Sequence, residues 1–456
     1  MPIADQLILP KGRLDPKKSA LVIVCHEASR TGAPILGWNL TRALAKRFNV
    51  VVVLIKGGPL EYAFEQCAAV VVKRRDGGNF QDAEAVHVAR RIVEVYRPLF
   101  IIANSVETRS FVPGFAKANV PVIVLAHEFS GNTRPVGILN EVYGWAAHIV
   151  FSAKVVQEAS RADYPILDVR EVSVIPQGRC EVPADEDQPR GRKARRAAPL
   201  NRLKRQNEVL VVGMGAVQIR KGVDLFIAIA ADVRRLAPDS KIRFAWMGQG
   251  YDPKYDVSYS AYLAEQISRS ALKEDEFSFV NEVDDLDPIY AQSDIFLLSS
   301  RLDPLPNVAI DAMMRGIPVI CFENATGMAE ILCSEEITRR LVVPYMDIRA
   351  VAETIVDLAS SRAEFQKISS GVKSKAVSVF NMDRYLDALE KLGRGHADAW
   401  KQIARDREVI ENAQAFDQDF YLPPAAKASA ERTPLLHYLV RSHILHNRAI
   451  PSPQTT

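Results

Sequence analysis

The chain has little that would staple it, anchor it or charge it as a whole. Only 5 of its 456 residues are cysteine, and Cys25, Cys67, Cys180, Cys321 and Cys333 show no paired metal spacing. Three of them sit in apolar runs, as buried thiols do, which argues against a disulfide framework and fits a reducing compartment. No apolar run approaches the ~20 residues that a membrane-spanning helix needs. The opening MPIADQLILPKGRLDPKKSA lacks the basic-then-apolar order of a secretory leader. Lysine and arginine total 58 against 55 acids, a net charge of +3, so the molecule as a whole is no polyanion binder and nucleic acid is not an expected partner. No Gly-x-Gly-x-x-Gly follows the first apolar run, which argues against a nicotinamide dehydrogenase. The expectation is a cytoplasmic protein that meets any membrane-borne substrate peripherally, at the inner face of the membrane.

What is present is an alternation. At 456 residues the chain exceeds one ordinary core, and two domains of roughly 150–200 residues with an appendage are expected. A hydrophobic fraction of 48% and a charged fraction of 25% are those of a soluble globular protein. Ala20–Cys25 is a fully apolar run, followed by a polar loop at 26–32, helical spacing over 33–48 and a second apolar run at 50–55. That order is strand, loop, helix, strand: the opening of a parallel α/β sheet. Further strands are predicted at 99–103, Val122–Ala126, His148–Phe151 and 172–175, with a helix over 83–96. Residues 182–208 change character, with acids and then a basic stretch from Arg190 to Arg205, and read as the domain boundary. That stretch is either a solvated linker or a patch for anionic lipid head groups. A second alternation follows, with strands at 208–213, 242–248, Phe277–Val280, 294–299 and 317–322 and a helix at Val223–Leu236. Helical sequence returns at 348–361 and 382–413. The fold class is therefore α/β: two Rossmann-like doubly wound domains facing across a cleft, with a C-terminal helical extension.

Two segments carry chemistry. In DIFLLSSRLDPLPNVAIDAMMRG (294–316) an apolar strand runs into a polar loop and then a helix beginning near Asn307, with Asp303 and Asp311 separated by seven residues. The backbone N–H groups of Asn307 and Val308, behind Pro306, would be unpaired at the helix N-terminus and open to a diphosphate. Asp303 could take sugar hydroxyls and Asp311 ribose hydroxyls, while the plainer reading of Asp303 is a helix cap. In VVGMGAVQIRKGVD (211–224) a strand ends in a small-residue loop holding Gly215, and Arg220 and Lys221 precede a helix. Cations at the positive end of a helix are poorly placed unless an anion binds there, and a departing nucleoside diphosphate is such an anion.

The stretch 211–331 resembles the donor domain of the family 4 retaining glycosyltransferases, of GT-B architecture. Their signature of two acids seven residues apart, then Ala-Met and a small-Gly pair, stands here as Asp303 through Gly316, and Arg220-Lys221-Gly222 matches the segment that grips phosphate. Phe277–Val280, ahead of Tyr290 and Asp294, matches the strand and loop that frame the base, which brings Val280 into the donor site. Val174-Ile175-Pro176-Gln177-Gly178 matches the turn that ends the first domain. Two departures are visible: both signature acids are aspartate rather than glutamate, and Gly215-Ala216 stands where many relatives carry arginine, so that Arg220 would supply that charge.

The resemblance implies further roles. The loop 26–33, with Glu27, Arg30 and Gly32, would lie over the diphosphate and the acceptor, and His127 would stand near the reacting sugar. Asn104, Ser105, Glu107 and Glu128 would line the acceptor side. Catalysis would rest on His127, Arg220, Lys221 and Asp303, and Lys221→Ala and Asp303→Asn would each abolish transfer without unfolding the protein. The implied units are an acceptor domain (1–185), a basic linker (186–207), a donor domain (208–380), helices returning to the first domain (381–414) and an aromatic tail (415–456). That tail, with Phe416, Phe420-Tyr421-Leu422 and 434–439, resembles a module found beside bacterial surface-polysaccharide transferases; packing on the main body is the alternative.

The implied reaction moves a sugar from a nucleotide donor to a glycan or lipid-linked glycan. O-antigen, capsule or exopolysaccharide assembly would supply the context, with other assembly enzymes as partners. No metal or resident cofactor is expected, and the one tight histidine spacing, His443 and His446, lies in the tail without an acidic neighbour. A sugar-nucleotide epimerase of the same fold, or a silent scaffold in an assembly complex, are the competing readings.

Overall fold

The computed structural model describes residues 14–74, 76–183, 203–270, 272–273, 275–283 and 285–412. Most of the basic stretch, and the aromatic tail with its histidines, lie outside the described residues. Lys204 and Arg205 lie inside, and both are spent within the second domain, on Asp294 at 2.5 Å and on Asp275 at 3.2 Å.

Among the described residues, thirteen strands form two all-parallel sheets. The first holds β1 (Ala20–Cys25), β2 (Asn49–Leu54), β3 (Val70–Val72), β4 (Ile101–Asn104), β5 (Val122–Ala126), β6 (His148–Phe151) and β7 (Val172–Val174), in the order β3-β2-β1-β4-β5-β6-β7. The second holds β8 (Val209–Met214), β9 (Ile242–Met247), β10 (Phe277–Val280), β11 (Ile295–Leu298), β12 (Val319–Phe322) and β13 (Val342–Val343), in the order β10-β9-β8-β11-β12-β13. The apolar runs are continuous rather than alternating because helices cover both faces of each sheet. In β1, Leu21, Ile23 and Cys25 enter one core and Val22 and Val24 the other.

Each sheet reverses its winding beside its first strand, between β1 and β4 and between β8 and β11. At such a switch point the flanking loops leave in opposite directions and open a crevice at the carboxyl ends of the strands. The loops after β1, β4, β8 and β11 hold most of the residues singled out from the sequence, while His127 and Glu128 follow β5 and Val280 ends β10. The edge strands β3 and β13, of three and two residues, were not legible as periodic runs, and the helix expected over 33–48 ends at Leu44.

The chain crosses back to the first domain where the N–H of Arg179 bonds the carbonyl of Phe380 at 2.9 Å and Gly178 lies against the Met382 backbone. The helix Met382–Asn412 then buries Tyr385, Leu386 and Leu389 in the core that holds Leu21 and Ile23, and its Gly393 is pressed onto the Phe100 ring. The two domains also touch directly. The helix Lys154–Asp163 has no cap of its own; the Glu330 carboxylate, from the second domain, accepts the N–H groups of Lys154 (3.0 Å) and Val155 (2.5 Å). Beside it Gly327 meets Ala153 so closely that an added Cβ would lie 2.3 Å from the alanine methyl.

Candidate active site

The second domain's half of the crevice is built by lacing two loops together. After β8 the chain passes Gly215 and Arg220-Lys221 to Gly222, which adopts the left-handed conformation (φ 67°) and starts the helix Val223–Leu236. The Ser299 hydroxyl bonds the Gly222 carbonyl at 2.9 Å, and the N–H of Arg301 bonds the Arg220 carbonyl at 2.9 Å. Arg301 also forks onto Asp224 at 2.9 and 2.7 Å. These bonds hold Lys221 against Asp303: Nζ to Oδ2 is 2.5 Å, with the Ser300 hydroxyl at 3.3 Å on the same oxygen and the Arg220 guanidinium 3.5 Å from the other. Two cations thus share one carboxylate that is only 5% exposed. The local balance stays positive, and Arg220, the more exposed of the cations, retains donors for a second anion. Gly215 (φ 142°) lies against the Lys221 stem, where an added Cβ would come to 3.3 Å. Val280, at the end of β10, accepts the N–H of Gly248, whose α-carbon abuts the Gly215 carbonyl.

Asp303 does not cap the following helix. Pro306 holds the cap position with no side-chain bond, while the N–H of Asp303 goes to the Ala325 carbonyl and its carboxylate to Lys221. Within the helix Asn307–Met314 the N–H groups of Ala309 and Ile310 both return to the Pro306 carbonyl, so those of Asn307 and Val308 stand ahead of the ladder. The Asn307 side chain bridges the domains: it accepts from Gln177 at 2.5 Å and donates to the Gly32 carbonyl at 3.4 Å. Asp311 is already engaged, by Arg179 of the first domain at 2.8 Å and by Arg315 at 3.3 Å. A ribose contact by Asp311 would have to share that carboxylate with Arg179.

In the first domain Asn104, at the end of β4, ties two elements. Its amide nitrogen donates to the Ala33 carbonyl at 2.7 Å, so its oxygen faces His127 Nε2 at 3.0 Å. That arrangement places the ring proton on Nε2 and leaves Nδ1 as a lone pair, buried and without a partner. Burial, reinforced by the neighbouring His26, pushes the His127 pKa down to about 4. Glu128 accepts from the Ser105 hydroxyl at 2.6 Å and from the N–H groups of His127 and Val106, and its burial raises its pKa. Ser105 itself has φ 106° and ψ 146°, a region nearly reserved for glycine, at a cost of order 1–3 kcal/mol. Glu27 holds the Ser29 hydroxyl at 2.5 Å and lies 3.8 Å from His26. Arg30 points instead toward the Pro183 carbonyl, at 3.4 Å.

The structure therefore gathers Asn104, His127 and Glu128 at one set of strand ends, and Arg220, Lys221 and Asp303 at the other. Gly32 and Asn307 join the two. The sequence did not single out Gln177 or Arg179, which the structure sets against Asn307 and Asp311; the motif Pro176-Gln177-Gly178 was visible, but only as a turn.

One consequence is measurable. His127 binds a proton more weakly in the folded chain than when unfolded (about 4 against 6.5), so its contribution makes stability fall as pH drops from 6.5 toward 4. Its ceiling is about 3 kcal/mol. Glu128, whose pKa is raised above 4.5, acts in the opposite sense as pH rises above that value. His127→Gln is expected to flatten the acid limb of melting temperature against pH; an unchanged limb would remove His127 as its source.

Comparison with known proteins bears on this geometry. Residues 206–361 match the family model described as glycosyl transferases group 1. The mannosylfructose-phosphate synthase of Agrobacterium fabrum is 31% identical over 113 residues, which are 24% of this chain and 24% of that protein. The chain thus spans about a quarter of that relative's length. Among solved structures, Anabaena HepE in complex with UDP and glucose superimposes with a TM-score of 0.63 at 17% identity, over 81% of this chain and 98% of that one. The sucrose-phosphate synthase of Thermosynechococcus elongatus does so with 0.64 at 15% identity, over 84% and 100%. These likenesses establish the fold, and they agree with the two facing parallel sheets. The chain has the GT-B fold, and its residues 206–361 match the glycosyl transferases group 1 model.

Proposed function

We propose that the protein is a glycosyltransferase that takes a sugar from a nucleotide-diphosphate donor, with retention and without a metal. The acceptor is a glycan or lipid-linked glycan of bacterial surface-polysaccharide assembly. The observation that carries the donor half is the buried Lys221–Asp303 pair with Arg220 beside it, at the mouth of the crevice. A departing diphosphate needs positive charge, and Arg220, Lys221 and the first N–H groups of the helix Asn307–Met314 supply it there. In this reading Asp303 positions Lys221 and retains acceptor capacity for a sugar hydroxyl. The diphosphate oxygen takes the acceptor proton, so no protein nucleophile is required; neutral His127 offers a hydrogen bond near the reacting sugar without adding charge. UDP and glucose, the ligands of the Anabaena structure, are the natural first probes. Surface-polysaccharide assembly rests on the resemblance of the tail. No helix among the described residues is long and apolar enough to cross a membrane, so a lipid-linked acceptor would be met peripherally.

Thermal stabilisation by nucleoside diphosphates and their sugars tests the proposal. A ligand at a hundred times its Kd should add about 2.7 kcal/mol, a rise of several degrees. If no nucleotide moves the melting point while a control transferase responds, the scaffold reading takes its place.

A further inference from the structure

Away from the crevice, three side chains from distant parts of the chain converge at the β6–β7 edge. His148 opens β6, Glu171 immediately precedes β7, and His396 lies on the C-terminal helix Met382–Asn412. His148 Nδ1 and His396 Nε2 are 3.2 Å apart, and Glu171 Oε2 lies 3.4 Å from His396 Nε2 and 3.6 Å from His148 Nδ1. The three atoms form a nearly equilateral triangle.

We propose that His148, Glu171 and His396 bind a divalent transition metal of the zinc class, which staples the C-terminal helix to the first sheet. Three observations point this way. A tetrahedral ion with bonds of about 2.0–2.1 Å sets its ligands about 3.3–3.4 Å apart, the mean of the triangle observed. Glu171 lies almost equally far from both rings, a position from which one carboxylate oxygen can reach an ion that both imidazoles share. Finally, His148 Nε2 lies 3.0 Å from the Ser173 hydroxyl, so this second nitrogen can carry the ring proton and turn the Nδ1 lone pair to the centre. That outer contact is the usual orienting device of a metal-bound imidazole. Two imidazoles and one carboxylate suit zinc, nickel or copper rather than magnesium or calcium.

The ion would lie where the returning helix closes on the first domain, remote from the Lys221–Asp303 pair, so it is independent of metal-free transfer. The sequence offered no sign of it, because the ligands are separated by 23 and 225 residues and none lies in a spaced motif.

The test is titration of EDTA-treated full-length protein with zinc chloride by calorimetry, with melting temperature measured in parallel. One equivalent should bind and raise the melting temperature. His396→Gln and Glu171→Gln should each weaken binding at least about tenfold and lose the zinc-dependent rise, while keeping the far-ultraviolet spectrum of the parent. The double variant His443→Gln/His446→Gln should bind as the parent does. The proposal is overturned if the parent takes up no zinc, or if the first two variants bind it as tightly as the parent. It is overturned equally if only the tail variant loses the ion.

Discussion

Asp303→Asn should lower transfer by about 10²–10³-fold while leaving the fold and nucleotide binding in place, and nucleotide affinity should hold or rise. The reason lies in the charge around one buried carboxylate. Asparagine keeps the shape of the side chain and can still accept from Lys221 and Ser300, but the two cations lose their counter-charge. A diphosphate then meets a more positive pocket, yet the neutral amide holds Lys221 more weakly than the carboxylate did where the leaving group needs it.

Lys221→Ala differs. It strands a carboxylate that is 5% exposed, with only Arg220 and the Ser300 hydroxyl near it. Removing one partner of a buried pair costs about 3–5 kcal/mol, and Arg220 offsets part of that. The expectation from sequence is that each variant loses transfer without unfolding; for Lys221→Ala the burial of Asp303 adds a loss of stability. Melting temperature and kcat measured on both variants and on Lys221→Arg separate the effects. Full transfer by Asp303→Asn would refute the placement of Asp303, and a parental melting temperature for Lys221→Ala would refute the burial cost.

Why the sequence disclosed so much of the fold and less of the site is a matter of range. β1, β2, β5 and β8 are buried on both faces, so each appears as an unbroken apolar run whose length marks a strand. The loops after β8 and β11 announce themselves because their residues serve one local task, starting a helix near an anion. The hydrogen bond that joins Asn307 to Gln177, and the ion pair of Asp311 with Arg179, connect residues more than a hundred positions apart. No spacing encodes such a contact; it follows from how the two domains meet. The same holds for Asp303, whose carboxylate reads as a cap or a sugar ligand until Lys221 is seen lying against it. The strain at Ser105 is invisible for another reason: serine carries no preference for φ 106°, and hydrogen bonds hold it there, from its hydroxyl to Glu128, from its N–H to the Leu125 carbonyl, and from Glu107 and Thr108 onto its oxygens.

Gly222→Ala is expected to cost at least 3 kcal/mol or so and to abolish nucleotide binding, because two separate penalties fall on one residue. The left-handed conformation at φ 67° costs a non-glycine residue about 1–2 kcal/mol. An added Cβ would also lie 2.0 Å from the Ser299 carbonyl oxygen, a backbone atom that cannot rotate away as a side chain could. Relief requires the loops after β8 and β11 to part, which breaks the Ser299 bond to the Gly222 carbonyl and the Arg301 bond to the Arg220 carbonyl. Those bonds are what bring Lys221 to Asp303, so the damage reaches the anion site even in molecules that remain folded. Gly222→Asn divides the two penalties, since asparagine tolerates the left-handed region but carries the same Cβ. Should the clash dominate, asparagine will rescue little of the melting temperature and none of the nucleotide-induced shift. If Gly222→Asn behaves as the parent, the close approach to Ser299 is not what sets the position of Lys221, and the lacing of the two loops must be assigned to Arg301 and Asp224 alone.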